Sequence, residues 1–214
     1  MIPRYSLLLV SLALLAGCVT VDVTVKDDGS ADLIVSYPAL DKVTEEQVKP
    51  MLTAPGVTIK SVSVTPRAAA KDAATDTPAA GAQDGKATPA KAWVNTVTAT
   101  LSVTDVEKIE TIPFMTLFGL DVVSTTGDDG QKTLKATLKN PSPGKGPPTP
   151  SDNVITIHVP GELGETTGIA EAGAAVWKFK TTEYFATAET AFSLTYKAAA
   201  KADAGAKDAA ANPS

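Results

Sequence analysis

The chain has 214 residues, of which 43% are hydrophobic and 5% are aromatic, and its formal net charge is -5 at pH 7. Much of the hydrophobic share is alanine in polar tracts. The basic residues are scattered along the chain, and this scatter argues against a nucleic-acid partner. After the N-terminal apolar run, no apolar stretch reaches the roughly 20 residues that a membrane-spanning helix needs.

The first residues are typical of an export signal. Arg4 precedes an apolar run over residues 7–15, which is too short to span a bilayer and has the length of a secretory signal core. The run ends in Leu15-Ala16-Gly17-Cys18, which resembles the lipobox of bacterial lipoproteins. This resemblance implies cleavage between Gly17 and Cys18 and attachment of diacylglycerol, with acyl chains such as palmitate, to the Cys18 thiol.

Cys18 is the only cysteine, so it has no partner for an intramolecular disulfide. The alternative, an ordinary signal peptide with an incidental cysteine, would leave a free thiol in an oxidising compartment. We therefore predict a cell-envelope protein that is held on a membrane by its N-terminal lipid. Val19 follows the cysteine, and resemblance to the sorting rule of Gram-negative bacteria implies the outer membrane, facing the periplasm, if the host is Gram-negative.

Two segments have compositions that are typical of disorder. Residues 66–91 and 197–214 consist almost entirely of Ala, Lys, Asp, Pro, Gly and Thr, which bury too little surface to offset the entropy of ordering. We predict a linker and a tail there, and a stiff proline loop at residues 140–151. Residues 18–196 are predicted to be a single domain that the linker interrupts, because the piece before the linker is too small to be stable alone.

The segment before the linker predicts two strands, a helix and a third strand. Val21, Val23 and Val25 alternate with polar residues, and an Asp-Gly turn at residues 27–30 predicts a hairpin. Residues 41–52 are a helix candidate with Thr44 as its cap. In the third strand, the apolar phase slips after Ile59, which predicts a bulge near residues 60–61.

The segment after the linker predicts further strands and one short helix. Residues 93–103 alternate most clearly, residues 105–111 can form a short capped helix, and residues 117–125 read as a strand. Inward faces are then predicted at Leu134, Ala136 and Leu138, at Ile155, Ile157 and Val159, at Ala175, Trp177 and Phe179, and at Phe192, Leu194 and Tyr196. The predicted fold class is α+β, a mostly antiparallel sheet with one or two helices packed on it.

Three pieces of the chain follow one another in a recognisable order. They are the segment CVTVDVTVKDDGSADLIVSYP that begins at the lipobox cysteine, SVTDVEKIE after the fourth strand, and Val159-Pro160-Gly161 leading through a glycine-containing segment to AVWKF. This order is similar to that of the LppM-type lipoprotein domain. The resemblance covers most of residues 18–196, whereas the linker and the polar tail are not part of the family pattern. It implies an α+β sheet with helices on one face and a role in binding lipid or glycolipid, and it supplies no catalytic residues.

Candidate residues for catalysis or metal binding are few. His158 is the only histidine, and it reads either as a base or metal ligand or as a strand-surface residue, without a second histidine, a cysteine or clustered acids beside it. The two Asp-Asp-Gly stretches at residues 27–29 and 128–130 lack the spaced ligands of a calcium loop and read better as turns. We therefore predict a protein that is not an enzyme and has no metal site or cofactor.

One apolar run reads either as core or as part of a ligand site. Residues 112–120 lie at a helix-to-strand junction, and Phe114, Met115, Leu117 and Phe118 are candidates for the apolar wall or lip of a lipid-binding cavity. The predicted function is a non-enzymatic, lipid-anchored envelope protein that binds a lipid, a glycolipid or another apolar ligand. The alternative is a structural or interaction module that binds an envelope protein partner.

Overall fold

The computed structural model describes residues 18–40, 42–66, 93–144 and 150–198. The predicted signal peptide at residues 1–17 and nearly all of the predicted linker and tail lie outside these ranges. No helix of the described residues is long and apolar enough to cross a membrane.

The described residues form eleven strands. In most of them apolar and polar side chains alternate along the sequence, as expected for a strand with one face in the interior. Their bounds are β1 Thr20–Val25, β2 Ala31–Leu40, β3 Val57–Pro66, β4 Trp93–Val103, β5 Leu120–Thr126, β6 Gln131–Lys139, β7 Asp152–His158, β8 Glu162–Thr166, β9 Ile169–Glu171, β10 Ala174–Lys180 and β11 Glu189–Lys197.

The strands divide into two sheets. The larger sheet has the order β3-β4-β2-β1-β7-β10-β9, and the smaller sheet has the order β5-β6-β11-β8. Neighbouring strands pair antiparallel except β1 and β7, which are parallel. The predicted α+β class and the mostly antiparallel pairing are confirmed. The predicted bulge in β3 is confirmed as well, since the register with β4 shifts between Ile59 and Ser61.

Within the described ranges, four short helical segments connect or cover the strands. They are α1 Glu45–Leu52, a 3₁₀ helix Val106–Thr111, α2 Pro113–Thr116 and α3 Thr181–Ala186. The Thr44 N–H donates to Gln47 Oε1 at 3.1 Å, and the Asp105 carboxylate accepts from the Glu107 N–H at 2.9 Å, so both predicted caps are in place.

Three details of the predicted elements differ from the structure. The helix candidate at residues 41–52 begins at Glu45, directly after its predicted cap Thr44, and the strand predicted over residues 117–125 begins only at Leu120. The latter shift arises because Pro113 starts α2, where its missing N–H costs nothing. The prediction of one or two helices also missed α3, whose first turn is stabilised by the Glu183 carboxylate accepting the Lys180 N–H at 2.8 Å.

The core lies between the sheets and the helices. On the β3-β4-β2 side of the larger sheet, the inner face is covered by α1, the 3₁₀ helix and α2. On the β1-β7-β10 side, the inner face looks toward the smaller sheet. The largest fully buried side chains include Phe114, Leu33, Leu52, Leu101 and Ile112.

Candidate functional site: an apolar cavity between the sheets

A cavity of about 410 Å³ lies between the two sheets. Both sheets, the 3₁₀ helix, α2 and α3 contribute to its walls, and most of the lining side chains are apolar. Val19, which directly precedes β1, and the inward residues of four strands form its two long sides: Val21, Val23, Ile155 and Ile157 from β1 and β7, and Val122, Leu134, Ala136 and Leu138 from β5 and β6.

The four residues predicted to form an apolar wall all line this cavity. Phe114 and Met115 are buried, whereas Leu117 and Phe118 are partly exposed. The Phe114 ring stacks on Tyr37 with 4.6 Å between centroids and meets the edge of Phe118 at 5.4 Å. Phe114 is therefore a core residue and a wall residue at once, so the two interpretations of this run are compatible.

The backbone around α2 brings these side chains together. Gly119 ends the turn after α2 with a positive φ of 59°, and its carbonyl accepts the Lys139 N–H at 3.1 Å. A Cβ at this position would lie 2.6 Å from the Lys139 carbonyl oxygen. Only glycine meets both conditions, so Gly119 fixes how α2 joins the smaller sheet.

A further part of the wall, formed by Phe179 and Phe192, was not identified from the sequence. Phe192 on β11 packs against Phe179 and Trp177 on β10, with 5.7 Å and 5.6 Å between ring centroids. The Trp177 indole N–H donates to Thr167 Oγ1 at 3.1 Å. A Cβ on Gly168 would come within 2.7 Å of the Trp177 ring. Alternation predicted each of these faces correctly, but it carries no sign that β10 and β11 belong to different sheets.

One end of the cavity is polar. Asn153 accepts the Val19 N–H through Oδ1 at 3.1 Å and donates to Thr181 Oγ1 at 3.2 Å. Asn140 donates to the carbonyls of Thr187 and Tyr184 at 3.1 and 3.3 Å. Both amides are buried, and both are bonded within the protein. Among the described lining residues none carries a charge, so the walls offer no ionic partner to a ligand.

Exposure of the lining residues shows where the cavity opens. Toward the hairpin at residues 26–30, Val23, Val106 and Ile109 are at most 5% exposed. At the opposite end, Pro141 and Ser142 are exposed, and Val19 and Phe185 are partly exposed. The mouth therefore lies at the end of the molecule where β1 begins. The exposed Cys18 lies at this same end.

Burial changes the chemistry of the two tyrosines near the cavity. Burial raises the pKa of Tyr37 to about 12. Burial also raises the pKa of Tyr184, whose hydroxyl donates to the backbone carbonyls of Phe118 and Lys139 at 3.5 Å. Both phenols are therefore neutral at physiological pH, in keeping with an uncharged interior.

His158 lies away from this cavity, on the outer face of the larger sheet. Its Nε2 is 3.4 Å from Asp22 Oδ2, and both side chains are over one third exposed. Within the described ranges, no three His, Cys, Asp or Glu side chains are grouped so that they could hold a metal ion.

Both Asp-Asp-Gly stretches form hairpin turns. Asp28 accepts the Ser30 N–H and hydroxyl, which lowers the pKa of its carboxyl, and Asp129 accepts the Gln131 N–H at 3.0 Å. The third residue of each stretch is a glycine with positive φ, Gly29 at 85° and Gly130 at 77°. The carboxylates of Asp28 and Asp129 therefore stabilise the turns, in keeping with the interpretation of both stretches as turns.

Fold and cavity together define an α+β domain of two facing sheets around an apolar chamber. No protein-family model and no curated protein matches the chain. Among solved structures, the chain is similar to the folded domain of the Mycobacterium tuberculosis LppM protein, determined by NMR. The two share 12% sequence identity, with a TM-score of 0.43 over 87% of this chain and 92% of that one. The match covers most of both chains, and the resemblance noted in the sequence is to the same type of domain.

Proposed function

We propose that the chain is a lipid-anchored protein of the cell envelope that holds a lipid or another apolar ligand in the cavity between its sheets, without catalysing a reaction. The cavity carries this proposal. Its volume of about 410 Å³ falls within the range of about 300–1,000 Å³ that is usual for small-molecule sites. An empty chamber of this kind forfeits dispersion contacts along its walls, so an apolar occupant stabilises the fold.

The position of Cys18 supports the anchoring part of the proposal. Cys18 is exposed, and β1 begins two residues later at Thr20. A lipid on this thiol would hold the domain directly against the bilayer. A cavity so close to a membrane is well placed to take up a lipid ligand. The reason for expecting the covalent lipid anchor on Cys18 is the lipobox. We propose the outer membrane as the location because Val19 follows the cysteine, on the condition that the host is Gram-negative.

Ligand binding is testable in a chain that carries no lipid. The mature chain from residue 18, with Cys18→Ser, is titrated with N-phenylnaphthylamine, a dye that fluoresces in apolar surroundings. Ala136→Phe places a ring inside the cavity, because Ala136 lines it. We expect this variant to weaken dye binding by at least about tenfold, which corresponds to about 1.4 kcal/mol.

Ala191→Phe is the matched control for this experiment. Ala191 lies on β11 of the same sheet, is exposed, and precedes the inward Phe192. The same substitution there should leave dye binding unchanged. Equal losses in both variants, or a parent chain that binds no dye, would contradict the proposal.

A second measurement separates the proposal from the interaction-module alternative. Native mass spectrometry of the Cys18→Ser chain after incubation with an envelope lipid extract should show a bound lipid that Ala136→Phe removes. If no lipid is retained, and crosslinking in cells gives a reproducible protein partner, the chain is instead an interaction module.

A further inference from the structure

The wall of the cavity begins one residue after the cysteine that is predicted to carry the lipid. Val19, Val21 and Val23 all point into the cavity. At about 3.3 Å per residue, they run for about 13 Å from the mouth toward the closed end. A hydrocarbon chain attached at Cys18 therefore starts at the mouth, in line with an apolar wall.

The backbone of Val19 is held in place by hydrogen bonds on both its N–H and its carbonyl. The Val19 N–H donates to Asn153 Oδ1 at 3.1 Å, and the Val19 carbonyl accepts the Val154 N–H at 3.0 Å. Asn153 is itself buried and held by Thr181. These bonds hold Cys18 beside the mouth, so its substituent cannot move far away from the cavity.

The chemistry of the walls favours an uncharged chain. The described residues that line the cavity carry no charge, and its buried amides are already bonded within the protein. Taking an unpaired ionic group into such a site is unfavourable. A fatty acid or a phospholipid carries such a group, whereas the diacylglyceryl thioether predicted at Cys18 is uncharged.

We infer that the cavity holds one acyl chain of the lipid attached to its own Cys18. This inference rests on the proposed function, because it requires both the lipid and the apolar site. Attachment makes entry an intramolecular step, with an effective concentration in the millimolar range for a short tether. While one chain lies inside the protein, fewer chains remain in the bilayer, and the hold on the membrane weakens because stable anchoring takes at least two.

Photocrosslinking identifies the occupant directly. In the full chain expressed in bacteria, Phe179 is replaced by p-benzoylphenylalanine, which places the reactive group on the cavity wall. Irradiation followed by peptide mass spectrometry should give an intramolecular adduct between this position and the lipidated N-terminal peptide. The adjacent Lys178 is exposed and serves as the control position, where this adduct should be absent.

The other outcomes of the crosslinking overturn the inference. An adduct with the mass of a free phospholipid shows that a bilayer lipid fills the cavity, and the proposed function then survives without the inference. If no lipid adduct forms in a chain that mass spectrometry shows to be lipidated, the acyl chain does not enter.

A thermal comparison keeps the inference testable if the photoreactive variant fails to fold. The lipidated chain and its Cys18→Ser form are melted in the same detergent, with tryptophan fluorescence as the readout. An acyl chain in the cavity should raise the melting temperature by at least about 3 °C, given that 1 kcal/mol shifts a domain of this size by about 2–4 °C. Ala136→Phe should abolish this difference, and Ala191→Phe should preserve it. Equal melting temperatures in the parent pair would overturn the inference, whereas dye binding by the Cys18→Ser chain tests the proposed function separately.

Discussion

The two halves of the larger sheet present the same kinds of side chain to the interior but differ in what covers them. Leu33 and Leu101 on β2 and β4 are fully buried beneath the helices. On β1 and β7, Val21 and Ile155 are only partly buried, because they face the cavity. We call these regions the packed half and the open half.

The difference shows that the open space in the interior arises here from coverage rather than from composition. In the packed half, α1, the 3₁₀ helix and α2 lie against the sheet and bury its inner face. In the open half, the smaller sheet stands opposite, and the side chains between the two sheets leave about 410 Å³ unfilled. Substitutions should therefore have different costs in the two halves.

Leu101→Ala should have the largest effect on stability. Leu101 is fully buried between its partners Leu33 and Ile59 on the neighbouring strands. Truncation leaves a cavity that the packed half cannot close, so we expect a loss of about 3 kcal/mol in the free energy of unfolding. Urea denaturation of the mature Cys18→Ser chain measures it. A loss under about 1 kcal/mol would mean that the packed half is as loose as the open half.

Gly119→Ala should rank second, because Gly119 joins α2, which covers the packed half, to the smaller sheet, which faces the open half. The substitution puts a Cβ 2.6 Å from the Lys139 carbonyl oxygen at a φ of 59°. We expect a loss of about 2 kcal/mol in the free energy of unfolding, together with weaker dye binding as α2 shifts. Gly144→Ala is the control, since Gly144 also has positive φ but has open space at the Cβ position. Equal losses in both variants would show that backbone strain alone, without the contact to Lys139, sets the cost.

Residue alternation predicted the interior faces well and their coverage poorly. The inward sets that include Val23, Ile157 and Phe192 were all predicted, because alternation depends only on neighbours in sequence. The division into two sheets was not predicted, since it depends on β1 pairing in parallel with β7 across more than a hundred residues.

The same distinction applies to the candidate site. Phe114 and Phe118 were identified because they lie close together in a short apolar run. Phe179 and Phe192 come from strands of different sheets and were recognised only as parts of separate inward faces. The short strands β8 and β9 and the helix α3 have weak periodicity, and tertiary contacts such as Trp177 against Gly168 define that region instead.

Ile155→Ala tests the open half directly and should cost less than Leu101→Ala. Ile155 is partly buried and faces the cavity, so removing its side-chain atoms enlarges an existing space rather than creating a new one. We expect a loss of about 1 kcal/mol from the reduced apolar burial. Dye binding should be retained in the enlarged cavity. A loss as large as that of Leu101→Ala would indicate that the two halves are packed alike.

Asp32→Asn should have the smallest effect, because it changes the solvent-facing side of the packed half. The Asp32 carboxylate accepts from Lys60 at 2.8 Å and from the Ser102 hydroxyl, and it lies 3.1 Å from Lys26. These partners, Lys60 first, hold the pKa of Asp32 well below its usual range. The contribution to stability is therefore complete above the unfolded pKa of about 3.9 and declines as the pH falls from there toward the folded value. Because the group is one third exposed, we expect Asp32→Asn to cost less than about 1 kcal/mol at pH 7.

The cost of Asp32→Asn should shrink as the pH is lowered below 4 in a series of urea titrations. Asp27→Asn removes an equal charge from the adjacent turn and is the matched control. A cost for Asp32→Asn that does not change with pH would place its origin in the lost geometry at Ser102 rather than in the two lysines.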